Sequence, residues 1–291
     1  MRSYGYFTDR DMSDGAPVSD LACERHRADV RVDGIEYRRE HSPVGHWERI
    51  RVTSETGEKS LGRPKGCYDT LHTDRFDLMD ECTVDDASDE IARELCRLCE
   101  IYDILPERIL VAGLGNPRLS PDSLGPATAE RVKATMHIRE LDRSFFKMLE
   151  CSEIAVIAPG VRAYSGMDSY TAVKGICNMT NPSLVIAIDA LRARECDRLG
   201  TAIQISSTGI CAGGGIGNHA TPISEQTLGI PVIGIGVPTV IDSRLLGGDS
   251  DDTKRRASVA MLVSPKEICE IVDGAASVIA GGINQAFGLY S

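Results

Sequence analysis

Five short, almost continuously apolar runs, separated by helix-like segments, constrain the fold of this chain more than any other feature. A strand that is apolar at nearly every position is buried on both faces, which is typical of a parallel sheet covered by helices. The sequence therefore predicts an α/β fold with a mainly parallel sheet flanked by helices. The runs are RILVAG (108–113), EIAVIAPG (153–160), LVIAIDAL (184–191), TAIQIS (201–206) and PVIGIGVP (231–238).

Helical periodicity fills the spaces between and after these runs. The last helix has a start signal, because Ser264 and Glu267 have the spacing of a capping box and Pro265 suits a first helical turn. We expect helices near 85–104, 124–137, 168–179 and 265–288.

The N-terminal part of the chain has a different character. Residues 1 to about 80 are polar and charged, with short alternating stretches that are typical of half-exposed antiparallel strands. We therefore expect a single domain over 21–291 that carries an accessory β-rich region at about 21–80. The charged segment 247–256 is expected to be an exposed loop.

The charge balance excludes several classes of partner. The 32 Lys and Arg against 43 Asp and Glu give a formal charge of −11, which repels nucleic-acid phosphates and anionic lipids. No apolar run approaches the roughly 20 residues that span a bilayer, and the polar start is unlike a signal peptide. We expect a cytoplasmic protein that binds neither nucleic acid nor membrane.

The cysteines and histidines show no metal-binding pattern. The 10 cysteines are scattered along the chain, which favours reduced thiols over a disulfide framework. Cys96 and Cys99 lie three residues apart in a helical pattern, so both are expected on its apolar face, in the core. The six histidines lack the spacing of a zinc site, and we expect no metal and no other cofactor.

Two aspartates follow apolar runs at the places where ligands of parallel sheets bind. Asp122 lies in a glycine-rich turn after the first run, and Asp189 follows LVIAI. At neighbouring strand ends their charges would repel, so one should keep its proton near neutral pH. The ionised carboxylate can then take a proton from water while the other donates to a carbonyl oxygen, as in acid–base peptide hydrolysis. Each aspartate alone also fits a helix cap, and that alternative stays open.

A second glycine-rich loop follows TAIQIS. It suits either a platform for a substrate strand or a tight turn, and the sequence favours neither. Neither glycine-rich loop has dinucleotide spacing, since Arg118 stands where the third glycine of the first loop would fall. The candidate residues of the second loop are Gly213, Gly214, Gly215, Gly217 and Asn218.

Five blocks of the sequence resemble, in order and spacing, the germination proteases of spore-forming bacteria. The resemblance implies an α/β fold of the phosphorylase/hydrolase type, similar to the hydrogenase maturation endopeptidases, with Asp122 in SPDSLGP and Asp189 in AIDAL as the catalytic pair. It also implies that the substrates are the small acid-soluble proteins that coat spore DNA, that the enzyme acts in the spore core, and that it is a homotetramer. The blocks are GLGNPRLSPDSLGP, APGVRAYSGMDS, VIAIDALRAR, IQISSTGICAGGGIGN and ISEQTLGIPVIGIGVPTVIDS.

The family is also made as a zymogen that removes its own N-terminal segment. Residues 18–24, VSDLACE, resemble the acidic–apolar–Ala–x–Glu pattern at which the family cuts. This predicts cleavage between Asp20 and Leu21 and a pro-segment over 1–20. Alternatively, the segment is an ordinary frayed terminus.

Three other functions remain open at this point. One is a metal-sensing maturation protease of the hydrogenase type, in which Asp122 would contact nickel; His219 is the only histidine in the candidate loops. Another is a non-catalytic α/β module that binds a small molecule. The third is a peptidyl-tRNA hydrolase, which the string GLGNP (113–117) resembles but the negative charge opposes.

Overall fold

The computed structural model describes residues 19–26, 32–211, 221–246 and 261–288. Within them a nine-stranded mixed sheet has the order β1-β2-β3-β7-β8-β6-β4-β5, and β9 pairs with β8. The strands are β1 Ile35–Ser42, β2 Gly45–Val52, β3 Gly66–His72, β4 Arg108–Gly113, β5 Glu153–Ile157, β6 Leu184–Ala193, β7 Ala202–Ser206, β8 Val232–Asp242 and β9 Leu262–Val263.

The predicted α/β class is confirmed, and so is the antiparallel N-terminal part. Strands β5, β4, β6 and β8 are parallel, while β1, β2, β3 and β7 join them through antiparallel pairs. The accessory strands thus extend the same sheet. TAIQIS, one of the five apolar runs, forms β7 and is antiparallel to both neighbours; burial on both faces, not direction, makes it apolar.

Helices cover both faces of the parallel part, because alternate residues of each strand point to opposite sides. Ile109 and Val111 of β4 face one core with helices α2 (Glu81–Ile101) and α9 (Ile268–Phe287), whereas Leu110 and Ala112 face a second core with α7 (Ser169–Thr180). The helices are α1 Glu55–Leu61, α2 Glu81–Ile101, α3 Leu124–Arg131, α4 Met136–Leu141, α5 Arg143–Met148, α6 Arg162–Ser165, α7 Ser169–Thr180, α8 Glu225–Leu228 and α9 Ile268–Phe287. None of the described helices is long and apolar enough to cross a membrane.

Three predicted helices have different bounds in the structure, and the one expected near 85–104 is α2, Glu81–Ile101. The chain leaves α3 at Val132, and the hydroxyl of Thr135 bonds to Ser152 and Ile154, which separates α3 from α4 within the predicted helix 124–137. The last helix begins at Ile268 with Glu267 at its N-cap and without a side-chain cap hydrogen bond. The predicted capping box at 264–267 does not form, because the helix begins three residues later than the box requires and Glu267 itself occupies the N-cap.

The prediction for the cysteine pair is half wrong. Cys99 is buried, but Cys96 is exposed. The buried stripe of α2 runs through Ile91, Leu95 and Leu98, and Cys96 lies beyond its edge. No disulfide joins cysteines of the described ranges. Residues 247–256, predicted to be a loop, lie outside those ranges.

Candidate active site

Asp122 is positioned by a turn that only glycine can make. After β4 the chain passes Gly115, whose φ is +109°, and closes through a hydrogen bond of 2.8 Å from Asn116 N to Asp122 O. A Cβ on Gly115 would lie 2.1 Å from that same carbonyl oxygen. Asp122 ends a short 3-10 helix, and the N-cap of α3 is Ser123, so Asp122 is not the helix cap that its position after a strand allowed.

Asp189 lies within a strand and not after it. It is the sixth residue of β6, which continues to Ala193, and is 4% exposed. Its Oδ1 accepts a hydrogen bond of 2.9 Å from Ala190 N. A buried position inside a central strand does not cap a helix, so the cap interpretation fails here too.

The two aspartates belong to neighbouring segments at one end of the parallel sheet. Strands β4 and β6 pair directly, with Gly113 opposite Ile188, and Leu114 N donates to Ile188 O at 2.7 Å. The turn that carries Asp122 therefore packs against the residue just before Asp189. From the other side, Thr239 Oγ1 on β8 donates to Pro121 O at 2.7 Å and fixes the turn.

The pKa of Asp122 is shifted in the direction that acid catalysis requires. Burial raises the pKa of this carboxyl, and the backbone N–H of Asn116 opposes the shift. The sequence predicts a raised pKa from repulsion between two aspartates, whereas in the structure desolvation is the main cause.

Residues 19–26 dock on the body of the protein beside β6. Asp20 N donates to Arg192 O, and Arg192 N donates to Asp20 Oδ2, both at 2.9 Å. Leu21 and Ala22 are completely buried. A frayed terminus would show none of these contacts, so for the described residues that alternative is not supported.

Each defined position of the acidic–apolar–Ala–x–Glu pattern has its own contact. The Asp20 carboxylate meets a backbone N–H, while Leu21 and Ala22 are enclosed. The carboxylate oxygens of Glu24 accept from the backbone N–H groups of Arg194 and Glu195 at 2.8 and 2.9 Å. The unspecified position, Cys23, is only partly buried as a residue.

The thiol of Cys211 is influenced by the charges of both Asp20, in the docked segment, and Asp189. Cys211 follows β7, and partial desolvation raises the pKa of its thiol. The negative charges of Asp20, Asp189 and Asp168 add to this rise, and the positive charge of Arg63 opposes it. The predicted cleavage site and Asp189 therefore lie within electrostatic range of the same group.

Three potential metal ligands that sequence spacing did not indicate come together near the docked segment. Donor atoms of Cys23, Glu48 and His72 lie within 4.8 Å of one another. They do not fit a cation site, because Arg198 Nη1 donates to His72 Nδ1 at 2.7 Å, which leaves the ring proton on Nε2, facing Glu48 at 3.0 Å. The guanidinium of Arg198 already supplies the positive charge that a bound cation would bring.

The pKa values of the Cys23 thiol and the Glu48 carboxyl are shifted in opposite directions. Burial raises the pKa of Cys23 to about 12, so its thiol keeps its proton. Burial alone would raise the pKa of Glu48, but the hydrogen bond from His72 and the charge of Arg198 lower it to about 2.

Comparison with known proteins decides the family. The model of the family described as germination protease matches residues 18–253. A germination protease of Clostridium perfringens is 32% identical over 92% of this chain and 94% of its own length. The chain belongs to the germination protease family. It is accordingly a peptidase, and its substrates are proteins.

Other relatives agree with this assignment. A germination protease of Caldanaerobacter subterraneus is 32% identical over 92% of this chain and 93% of its own length, and one of Oceanobacillus iheyensis is 40% identical over 68% and 54%. Among solved structures, the NiFe hydrogenase maturation protease HycI of Thermococcus kodakarensis matches with a TM-score of 0.33 and 18% identity, over 62% of this chain and 96% of that one.

The structure thus places Asp122 and Asp189 on adjacent segments of the sheet, and Asp20 contacts Arg192 on the strand that holds Asp189. Gly213, Gly214, Gly215, Gly217 and Asn218, predicted as a substrate loop, lie outside the described residues. His219, on which the nickel alternative depends, does so as well.

Proposed function

We propose that this chain is an aspartate-dependent endopeptidase that begins the degradation of small acid-soluble, DNA-protecting spore proteins during germination. It is made as a zymogen in the spore core, with a pro-segment over 1–20 and a protease domain over 21–291, and assembles as a homotetramer. The observation that carries the proposal is the docking of the cleavage pattern at Asp20 and Leu21 beside the strand that holds Asp189.

The two carboxyl groups divide the work of hydrolysis. Asp122, whose pKa is raised by burial, is the protonated member and donates to the leaving group. Asp189 in its ionised form takes a proton from the attacking water. The hydrogen bond that Asp189 Oδ1 accepts from Ala190 N favours the ionised form of this carboxylate and supports the division of roles.

Self-processing tests the proposal directly. After acidic incubation, the intact mass of the wild-type protein should show loss of residues 1–20, with a new N-terminus at Leu21. Asp122→Asn and Asp189→Asn should both retain the full mass, while Asp74→Asn, an exposed aspartate on a loop, should process normally. Equal processing in all four proteins would overturn the assignment of the catalytic pair.

The substrate class needs a separate experiment. Matured protein is incubated with a purified small acid-soluble spore protein and, in parallel, with an unfolded protein of similar size that lacks the acidic–apolar–Ala–x–Glu pattern. Early cuts confined to that pattern are expected. Cleavage of both proteins at comparable rates would contradict the proposed specificity.

A further inference from the structure

The carbonyl oxygen of Asp20 is held by two side-chain donors. Arg63 Nη2 donates to it at 2.6 Å and Gln204 Nε2 at 3.3 Å. This is the carbonyl of the bond at which the pattern predicts cleavage. Sequence motifs did not indicate either donor, because Arg63 follows α1 and Gln204 lies on β7, far apart along the chain.

Gln204 contacts the segment on both sides of that bond. Its Oε1 accepts from Ala22 N at 2.6 Å, while its Nε2 reaches the Asp20 carbonyl. Gln204 itself is 7% exposed and is fixed in a central strand. The amide therefore orients the peptide as well as touching its carbonyl, and it does so from a rigid element.

Arg63 brings a permanent positive charge to the same oxygen. A guanidinium combines its charge with several N–H donors in a fixed, planar fork, which suits it to hold an oxygen atom. The same Nη2 lies 3.4 Å from the carbonyl oxygen of Ser19, so the guanidinium faces the main chain of the docked segment. A charge at this place would favour an oxyanion over a neutral carbonyl.

We propose that Arg63 and Gln204 are catalytic residues that form the oxyanion-stabilising side of the peptidase site. This inference rests on the proposed function. Water adds its oxygen to the Asp20 carbonyl carbon and gives one proton to Asp189, and the C=O π electrons move to the oxygen that Arg63 and Gln204 hold. The intermediate then re-forms C=O and breaks the C–N bond, whose electron pair stays on Leu21 N.

The breakdown of the intermediate needs no proton donor or acceptor beyond Asp122, Asp189 and the products. Leu21 N takes a proton from Asp122 as it leaves, and Asp122 regains one from Asp189. The new Asp20 carboxylic acid releases its proton to the amine, so that a carboxylate and an ammonium group are the products. Arg63 and Gln204 exchange no proton at any step; they stabilise charge only.

The first-order rate of self-processing, followed by intact mass, is the experiment. Arg63→Ala and Gln204→Ala should each lower this rate about 100-fold or more, the usual effect of removing one oxyanion donor. Arg63→Lys should recover part of the rate, since it keeps the charge but not the fork of donors. The pH profile of the residual activity should keep its shape, because neither residue exchanges a proton in the proposed reaction.

The matched control is Arg25→Ala. Arg25 Nε donates to the neighbouring carbonyl of Ser19 at 3.0 Å and so makes the same kind of contact one residue away. Its rate should stay within about threefold of wild type, because a contact that does not change on the way to the transition state does not lower the barrier.

A second measurement distinguishes a catalytic Arg63 from one that only holds the segment in place. In an Asp122→Asn background, which leaves the segment uncut, hydrogen exchange at the Leu21 and Ala22 amides reports whether the segment stays bound. If Arg63 is catalytic, adding Arg63→Ala to the Asp122→Asn protein leaves this protection unchanged. In the protein with an intact Asp122, the same substitution lowers the processing rate. Loss of protection, or a rate within about threefold of wild type, would overturn the inference.

The test also separates this inference from the proposed function. If Asp122→Asn and Asp189→Asn process as wild type does, the aspartate mechanism is wrong whatever Arg63 does. If they fail and Arg63→Ala and Gln204→Ala process normally, only the oxyanion assignment is wrong. Circular dichroism of each variant confirms its fold, and the two substitutions on separate elements keep the test valid if one does not fold.

Discussion

The carboxylate of Asp20 accepts a hydrogen bond of 2.9 Å from the backbone N–H of Arg192, three residues beyond Asp189 on the same strand. Together with the bond from Asp20 N to Arg192 O, this contact holds the segment against the end of β6. The predicted cleavage site therefore docks on the strand that also carries Asp189.

The pH dependence of self-processing follows from the raised pKa of Asp122. Burial keeps this carboxyl protonated above its usual range, and the acid form is lost as pH rises through the raised value. The processing rate should therefore fall on the alkaline side with a midpoint above 3.8, the ordinary value for aspartate. Rates of the full-length protein measured by mass across the acidic and neutral range check this. A midpoint at or below the ordinary value contradicts it.

Gly115→Ala should disable the site and lower stability. The alanine Cβ would meet Asp122 O at 2.1 Å at a φ of +109°. Gly166→Ala is the matched control, with a φ of +71° and no atom within 4 Å of the added Cβ. The control should lose only about 1–2 kcal/mol, whereas Gly115→Ala should lose more and stop processing. Urea unfolding and intact mass measure the two effects; equal losses in both variants contradict the argument.

Glu48→Gln should reduce stability at neutral pH and weaken its dependence on acid. The hydrogen bond to His72 and the Arg198 charge lower the pKa of Glu48 to about 2, so its contribution is present above the ordinary 4.5 and is lost as pH falls toward 2. A loss of roughly 1.5–3 kcal/mol at pH 7 is typical of a hydrogen bond to a charged group. Urea unfolding at neutral and acidic pH measures it, and Glu36→Gln, at an exposed site on β1, should change little. An identical acid response in Glu48→Gln and wild type would contradict the prediction.

Asp69→Asn should flatten the decline of stability with rising pH. Desolvation and the neighbouring Glu94 raise the pKa of Asp69, although Arg97 and Arg49 lie against it. Its contribution to stability is therefore full below the ordinary value of 3.8 and is lost as pH rises through the raised one. Melting temperatures across the neutral and alkaline range measure this effect. A steeper decline in Asp69→Asn than in wild type would show that the two arginines dominate instead.

Local patterns predicted five of the strands and selected the candidate pair. Apolar runs marked these strands because burial leaves few polar residues on them. They missed β3, which is buried at every position but contains Asp69, Thr70 and His72. The predicted capping box failed because the last helix begins at Ile268, after the box, and the side chain of Glu267 lies 3.7 Å from Arg75. The prediction that Cys96 is buried was wrong, because the width of the buried face of a helix depends on the elements that pack against it.

The sequence by itself determined the α/β class and the family, because each depends on short blocks of residues that can be interpreted without distant contacts. It also selected Asp122 and Asp189 as the candidate pair. Only the tertiary structure decided that β7 is antiparallel, that Asp189 lies inside its strand, and that Arg63 and Gln204 meet the carbonyl of Asp20. Strand direction and long-range contacts depend on how the whole chain packs, since residues 20, 63 and 204 come together only when three separate elements bury their apolar faces on one sheet.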